Sequence, residues 1–226
     1  MIKEIISLIY PHLCAACGNA LHKQQSSICT KCKSSLPATG FASMGINPIM
    51  KLLWGKAEFK HASSCFYFRK KSRVQKLIHA LKYKGNTEVG VELGKLMANE
   101  LQKSPAYESI DLILPVPLHP SKKLLRGYNQ CDFIAEGLAQ EFGVEVNYGA
   151  IIRTQATETQ TKKGHFERHQ NVSSIFKVND KEGLQSKNIL LIDDVITTGS
   201  TLASCAQQVF LETNNKPLIS TVALAS

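Results

Sequence analysis

Runs of consecutive apolar residues alternate with amphipathic stretches along most of the chain. Short runs bounded by turn-forming residues predict buried strands at 63–69, 110–116, 188–193 and 217–224. Apolar residues that recur every three or four positions predict helices at 72–83, 87–103, 129–142 and 201–212. Weaker strand signals lie at 144–148, 150–153 and 174–178. Buried strands that alternate with helices are typical of a parallel sheet covered on both faces, so the pattern predicts an α/β fold.

Two segments depart from this alternation. Isoleucines spaced by three and four residues predict a short amphipathic helix over 3–10, which Pro11 ends. We expect it to pack elsewhere on the chain or to bind a partner, because so short a helix does not persist alone. The polar segment 154–170 contains almost no apolar residues and predicts a loop.

The composition excludes several classes of protein. The chain has 226 residues, of which 43% are hydrophobic and 20% charged, as in a folded globular protein. No apolar run approaches the roughly 18–20 residues that cross a bilayer, so we expect no transmembrane segment. Glu4 and the lack of a small-residue cleavage site argue against a signal peptide. We therefore expect a cytoplasmic protein, in which disulfides are rare.

Four cysteines near the N-terminus have the spacing of metal ligands. They form two C-x2-C pairs, Cys14 with Cys17 and Cys29 with Cys32, and eleven residues separate the pairs. Each pair can place two thiolates on one tetrahedral ion. Four sulfurs leave no open position for water, which favours structural Zn²⁺ over a catalytic metal. Two disulfides or unligated thiols are the alternatives, and the expected location argues against the disulfides.

The features so far divide the chain into a zinc-binding module with the short helix at 1–40, a connector at 41–60 and a larger domain at 61–226. The net charge of +9 is concentrated across these boundaries. Residues 51–84 contain ten basic side chains and one acidic side chain, which equals the whole net charge. Such asymmetry indicates a polyanionic partner or an anionic ligand near that stretch, with a solvated basic face as the alternative.

The most informative segment is ILLIDDVITTGST at 189–201. A buried strand delivers Asp193 and Asp194, and a loop of small hydroxyl residues with Gly199 precedes a helix. Backbone N–H groups of such a loop and the N-terminus of the helix bind phosphate. Acids beside a phosphate repel it unless they bind something else, and sugar hydroxyls with a nearby Mg²⁺ are their natural partners. The segment therefore predicts a site for a phosphorylated sugar. A turn in an unrelated α/β protein is the alternative.

This segment matches at every position the phosphoribosyl-pyrophosphate (PRPP) motif of type I phosphoribosyltransferases. Further motifs are the C-x2-C pairs, ALKYKG at 80–85, PVPLH at 115–119, RGYNQ at 126–130, and Arg168 with Asn171 and Phe176. Together they resemble the ComF family over essentially the whole chain. The resemblance implies a type I phosphoribosyltransferase fold, a Rossmann-like parallel sheet flanked by helices, for 61–226, with the zinc module before it.

The resemblance also implies roles for individual residues. Asp193 and Asp194 would hold the ribose hydroxyls of PRPP, and Mg²⁺ would accompany it. Five residues would hold the 5′-phosphate: Thr197, Thr198, Gly199, Ser200 and Thr201. The loop at 115–120 corresponds to the family's pyrophosphate loop. Its three prolines lack N–H groups, and the donors that it keeps are those of Val116, Leu118 and His119. A rigid proline turn is the alternative.

Several cations could complete such a site. Arg126 could bind a phosphate bidentately, and Lys82 with Tyr83 could form a hood over the ligand. Arg168 lies in the segment 154–170, whose position matches the loop that closes over PRPP in type I enzymes. For each cation, a solvated surface charge is the alternative.

Three functions agree with these expectations. The first is a phosphoribosyltransferase that uses PRPP and Mg²⁺ with an unknown acceptor. The second, implied by the family resemblance, is a non-catalytic factor in natural transformation that binds single-stranded DNA through 51–84 and works with other proteins of the competence machinery. The third is a regulator that senses PRPP, or another phosphorylated ribose, without turnover.

Overall fold

A parallel sheet forms the centre of the protein. The computed structural model describes residues 11–21, 26–154 and 175–225. Among these residues the main sheet has five strands in the order β1–β7–β6–β2–β3, and all neighbours are parallel. The strands are β1 (Ala62–Phe68), β2 (Leu112–Pro115), β3 (Glu145–Val146), β6 (Ile189–Ile196) and β7 (Leu218–Ala225). The central strand β6 carries Asp193 and Asp194 toward its carboxyl end.

Two further strands, β4 (Ile151–Arg153) and β5 (Phe176–Val178), pair with each other outside the main sheet. Their pairing is antiparallel, with Ile151 opposite Val178. The apolar runs predicted that both strands exist, but not how they pair. A run of three residues contains too little information to specify a partner strand.

Helices connect the strands of the main sheet. The α-helices are α1 (Thr30–Ser34), α2 (Pro48–Leu53), α3 (Arg73–Tyr83), α4 (Glu88–Leu101), α5 (Pro120–Arg126), α6 (Gln130–Phe142), α7 (Lys181–Leu184) and α8 (Ser200–Thr213), with 3₁₀ turns at Phe41–Ser43 and Pro105–Tyr107. The four helices predicted from periodicity correspond to α3, α4, α6 and α8 and are confirmed within two residues at each end. No helix in the described ranges is long and apolar enough to cross a membrane. The helix expected at 3–10 lies outside the described residues.

Helix α5 lies in a stretch for which the apolar pattern predicted no helix. It begins after His119, whose side chain accepts the N–H of Ser121, and it ends at Gly127 with a positive φ of 83°. None of its residues is buried, and Leu124 and Leu125 are 88% and 91% exposed. The apolar periodicity that marks a packed helix is therefore missing, which explains why the pattern did not predict it.

Helices cover both faces of the main sheet. Alternate residues of β6 point to opposite faces, so that Leu190 belongs to one core and Leu191 to the other. Helices α3, α4 and α6 contribute to the first core, while α2, α8 and the β4–β5 pair contribute to the second. The predicted α/β architecture with a doubly covered parallel sheet is confirmed.

Helices α4 and α6 meet at glycines. A Cβ atom on Gly94 would lie 2.1 Å from the carbonyl oxygen of Ile134, and one on Gly137 would lie 2.0 Å from that of Val91. At both positions the nearest atoms belong to the backbone of the facing helix. A side chain therefore has no room there unless one of the helices moves. This contact fixes the position of α6, whose first turn reaches the acids of β6.

We predict that Gly137→Ala lowers the free energy of unfolding by about 2 kcal/mol or more, because the added methyl group overpacks the helix contact. Urea unfolding at neutral pH measures the loss. Gly45→Ala is the matched control, since no atom lies within 4 Å of the Cβ position there. Equal stabilities of the two variants would contradict the packing analysis.

Candidate functional site

The four clustered cysteines converge on one point. All four sulfur atoms of Cys14, Cys17, Cys29 and Cys32 lie within 4.8 Å of one another, and those of Cys17 and Cys29 are 3.9 Å apart. Sulfurs bound at about 2.3 Å to one tetrahedral zinc ion are separated by roughly 3.8 Å. The observed separations fit a single closed metal site. The prediction of a four-cysteine cluster is confirmed, and zinc is the metal that its chemistry favours.

The local backbone prepares these sulfurs for a metal. Gly18 has a φ of 78° and donates its N–H to the carbonyl of Cys14, while the N–H of Cys29 donates to the Cys14 sulfur at 3.3 Å. Burial acts to raise the pKa of Cys14, but the backbone N–H donors outweigh it and lower the pKa to about 6. Burial and the neighbouring cysteines raise the pKa of Cys32 to about 12. A dication would compensate the charge of four crowded thiolates.

The module that contains the cysteine cluster is attached to helices α3 and α4 and to the edge strand β1. The guanidinium of Arg73 donates to the hydroxyl of Ser35 at 2.8 Å, and Lys33 forms an ion pair with Glu92. The N–H of Thr39 donates to the carbonyl of Cys65 in β1 at 2.9 Å. Loss of the metal would therefore disturb the edge of the sheet at β1.

We predict that Cys32→Ser lowers the bound zinc from one equivalent to well below one and destabilises the protein. Elemental analysis measures the metal, and thermal unfolding with and without chelator measures the coupling. Cys205→Ala, at a buried cysteine of α8, should keep the metal. A variant that lost the metal with an unchanged melting temperature would argue against a structural role.

The two acids of β6 are held in different ways. Asp194 is 3% exposed, and its carboxylate forms an ion pair of 2.6 Å with the ammonium of Lys82 from α3. One carboxylate oxygen of Asp193 accepts the thiol of Cys131 at 3.3 Å and the backbone N–H of Asp194 at 2.8 Å. Each acid thus has one oxygen engaged by the protein.

The acids and their neighbours form one electrostatic cluster. Burial and the charge of Asp194 raise the pKa of Asp193 to about 7. Burial alone would lower the pKa of Lys82, but the charges of Asp194 and Asp193 raise it. Burial and the charges of the two acids raise the pKa of Cys131 well above its usual value, so its thiol stays protonated and acts as a donor.

The predicted hood residues lie beside the acids. Tyr83 follows Lys82 at the end of α3 and is 70% exposed, and the guanidinium of Arg126 lies 5.5 Å from the centre of its ring. The hydroxyl of Tyr128 donates to the carbonyl of Leu81. The turn at 126–130 therefore supports the end of α3, and the structure brings Lys82, Tyr83 and Arg126 together.

The hydroxyl-rich loop joins β6 to α8. Gly199 has a φ of 74° and precedes the first turn of the helix. The hydroxyls of Thr198 and Ser200 lie 3.0 Å apart, and both residues are exposed, as is Thr197; Thr201 is half-buried. The loop presents hydroxyls and helix N–H groups to the solvent at the edge where the acids lie, which suits a phosphate group.

Lys56, which belongs to the basic stretch 51–84, is a neighbour of this loop. Its ammonium donates to the carbonyl of Thr198 at 3.3 Å. The leucines of α2 explain the approach, because Leu53 packs against Gly199, where a Cβ would lie 2.8 Å from its methyl carbon. The sequence identified 41–60 only as a connector and could not show what α2 packs against.

In the proline loop at 115–120, one of the three N–H groups that were expected to bind a ligand already has a partner within the protein. The N–H of Val116 already donates to the carbonyl of Ile192 at 2.9 Å, so it is engaged in the sheet. The imidazole of His119 contacts the hydroxyl of Ser121 at 2.7 Å. Leu118 lines an open cavity of about 550 Å³, together with Tyr148 and Arg153. Arg168, which was predicted to close over the ligand, lies outside the described residues.

No family model matches the chain. DNA utilization protein YhgH of Salmonella typhi is 29% identical over 205 residues, 89% of this chain and 86% of that protein. Competence protein F of Haemophilus influenzae is 28% identical over 56% of this chain and 57% of its own length. Competence protein ComFC of Bacillus subtilis is 37% identical over 42% of this chain and 37% of its own length.

Among solved structures, a glutamine PRPP amidotransferase from Bacillus subtilis aligns with 65% of this chain and 30% of its own, at 17% identity and a TM-score of 0.46. Adenine phosphoribosyltransferase from Saccharomyces cerevisiae aligns with 70% of this chain and 75% of its own, at 16% identity and a TM-score of 0.38. The protein is a homologue of the ComF, ComFC and YhgH proteins. The family resemblance of its motifs is thereby confirmed.

Proposed function

We propose that this protein binds PRPP, or a closely related phosphorylated ribose, and acts as a Mg²⁺-assisted phosphoribosyltransferase in the handling of DNA during competence. The observation that carries the proposal is the convergence at one edge of the sheet. There the two acids of β6, the hydroxyl loop of α8 and the cations Lys82 and Arg126 lie together. The names of its relatives, competence and DNA utilization proteins, support the cellular role.

Each part of the proposed ligand would be bound by residues of complementary charge or hydrogen-bonding character. The loop at 197–201 would hold the 5′-phosphate with backbone N–H groups and hydroxyls. The carboxylate oxygens that remain free on Asp193 and Asp194 would accept hydrogen bonds from the ribose hydroxyls. Arg126 and Lys82 would face the pyrophosphate, and Mg²⁺, when it arrives with PRPP, would neutralise the charge of that leaving group.

Two features of the chain would assist bond breaking at C1 of the ribose. Positive charge develops on the sugar ring as pyrophosphate leaves, and the carboxylates stabilise it through the hydroxyls that they bind. The ion pair between Lys82 and Asp194 would break, so that Asp194 could bind the ribose hydroxyls and Lys82 could bind the pyrophosphate. A regulator that binds PRPP without turnover would use the same contacts, and the two roles differ only in the presence of an acceptor.

We predict that calorimetry detects PRPP binding in the presence of Mg²⁺, and that the double variant Asp193→Asn, Asp194→Asn weakens it by at least about 100-fold, because two charge-assisted contacts disappear. Circular dichroism checks that the variant is folded. Glu145→Gln, at an exposed acid of the edge strand β3, should bind as the wild type does. Absence of wild-type binding at millimolar PRPP would overturn the proposal.

Single-stranded DNA is the second proposed ligand, and a specific surface favours it. Arg69, Lys70 and Lys71 are exposed on the turn between β1 and α3. Arg73 joins this turn to the cysteine cluster through Ser35, beside the exposed Lys31. The basic turn and the module thus form one surface, and phosphate contacts by such cations give salt-dependent binding.

We predict that the triple variant Arg69→Gln, Lys70→Gln, Lys71→Gln weakens binding of an oligo-dT by at least about 10-fold at low salt and flattens its salt dependence, because fewer counterions are released. Fluorescence anisotropy measures both quantities. Lys122→Gln, Lys177→Gln, Lys187→Gln removes the same charge from other exposed positions and serves as the control. Equal losses in both variants would indicate general charge attraction only.

A further inference from the structure

A chain of hydrogen bonds runs from the turn at 126–130 to the acids of β6. The guanidinium of Arg126 donates to the side-chain oxygen of Gln130. The side-chain NH₂ of Gln130 in turn donates to the sulfur of Cys131 at 3.7 Å. The thiol of Cys131 then donates to Asp193 at 3.3 Å. Every donor in the chain points toward Asp193, and aligned donors strengthen one another.

The position of Cys131 is fixed by its surroundings. It is fully buried in the first turn of α6, where the side chain of Asn129 accepts its N–H at 3.4 Å. Asn129 also donates to the carbonyl of Val116 at 3.2 Å, so the start of α6 is bound to the end of β2. The glycine contact with α4 holds the rest of the helix. A thiol held in this way has little freedom to leave Asp193.

Building on the proposed function, we propose that Cys131 is a positioning residue of the ribose site. Its thiol and the N–H of Asp194 hold one carboxylate oxygen of Asp193, and this leaves the second oxygen directed to the ligand. A donor to the ionised carboxylate also favours that ionised form, which is the form that accepts bonds from two sugar hydroxyls.

The groups that act on Asp193 are Asp194 of the same strand, Lys82 of α3 and Cys131 of α6. Cys205 of α8 also faces this cluster, but burial raises the pKa of its thiol, so it stays neutral. Burial and Asp194 raise the pKa of Asp193, while the thiol of Cys131 and the charge of Lys82 act to lower it. Removing the thiol therefore shifts the titration of Asp193 to higher pH, so that a smaller fraction is ionised near pH 7.

The test compares wild type, Cys131→Ala and Cys131→Ser with the control Cys205→Ala. Carbon-13 NMR of labelled aspartate follows the Asp193 carboxyl in the ligand-free protein, and the missing signal in Asp193→Asn assigns it. We expect a midpoint about half a pH unit or more higher in Cys131→Ala, recovery in Cys131→Ser, and no change in the control. Equal midpoints in wild type and Cys131→Ala, or a failure of serine to restore the midpoint, would overturn the proposal.

Calorimetry with PRPP and Mg²⁺ supplies the second readout. We expect Cys131→Ala to bind several-fold more weakly than wild type at pH 6.5 and equally at pH 9, where Asp193 is ionised in both. A loss that is the same at both pH values would indicate a purely structural role. If the wild type bound no PRPP while the NMR midpoint still moved, the proposed function would fail and the effect of Cys131 on Asp193 would stand.

Discussion

Two adjacent carboxylates at the end of a buried central strand require compensation, and the arrangement of the site follows from this constraint. Charges leave water at a high cost in free energy unless ions or donors replace the solvent. Here Lys82 supplies the ion for Asp194, and Cys131 with a backbone N–H supplies donors for Asp193. The end of α3 and the start of α6 must therefore both reach β6. As a result, Tyr83 at the end of α3 and Arg126 just before α6 lie next to each other near the acids.

The rest of the fold makes that approach possible. Glycines at the α4–α6 contact let α6 lie close to its neighbour, and the cap at Asn129 ties its first turn to β2. The module of the cysteine cluster packs into the same core as these helices, and its residues 37–39 are hydrogen-bonded to the edge strand β1. A structural metal there would stabilise the sheet from its edge, at a distance from the chemistry proposed for its centre.

The basic stretch at 51–84 serves more than one purpose. Lys82 is the counter-ion of an acid, and Lys56 lies against the hydroxyl loop. The cations of the turn between β1 and α3 remain exposed next to the cysteine cluster. The net charge of the chain therefore combines cations that contact the acids and the hydroxyl loop with cations that are exposed on the turn between β1 and α3.

The sequence by itself determined the features that depend on neighbouring residues. The spacing of the cysteines, the acid pair followed by a hydroxyl loop, and the helices with apolar periodicity are local patterns, and local conformation follows from them. Short-range patterns also explain what was missed. Helix α5 has no buried face, and the runs that form β4 and β5 are too short to specify their pairing.

Only the tertiary structure decided which distant groups meet. The pairing of Lys82 with Asp194, the thiol of Cys131 on Asp193 and the engagement of the Val116 N–H in the sheet join residues far apart in the chain. Such contacts depend on how closely helices and strands pack, which is set by the volumes of side chains across several elements. The motif therefore indicated what the site contains, and the packing decided how its charges are balanced.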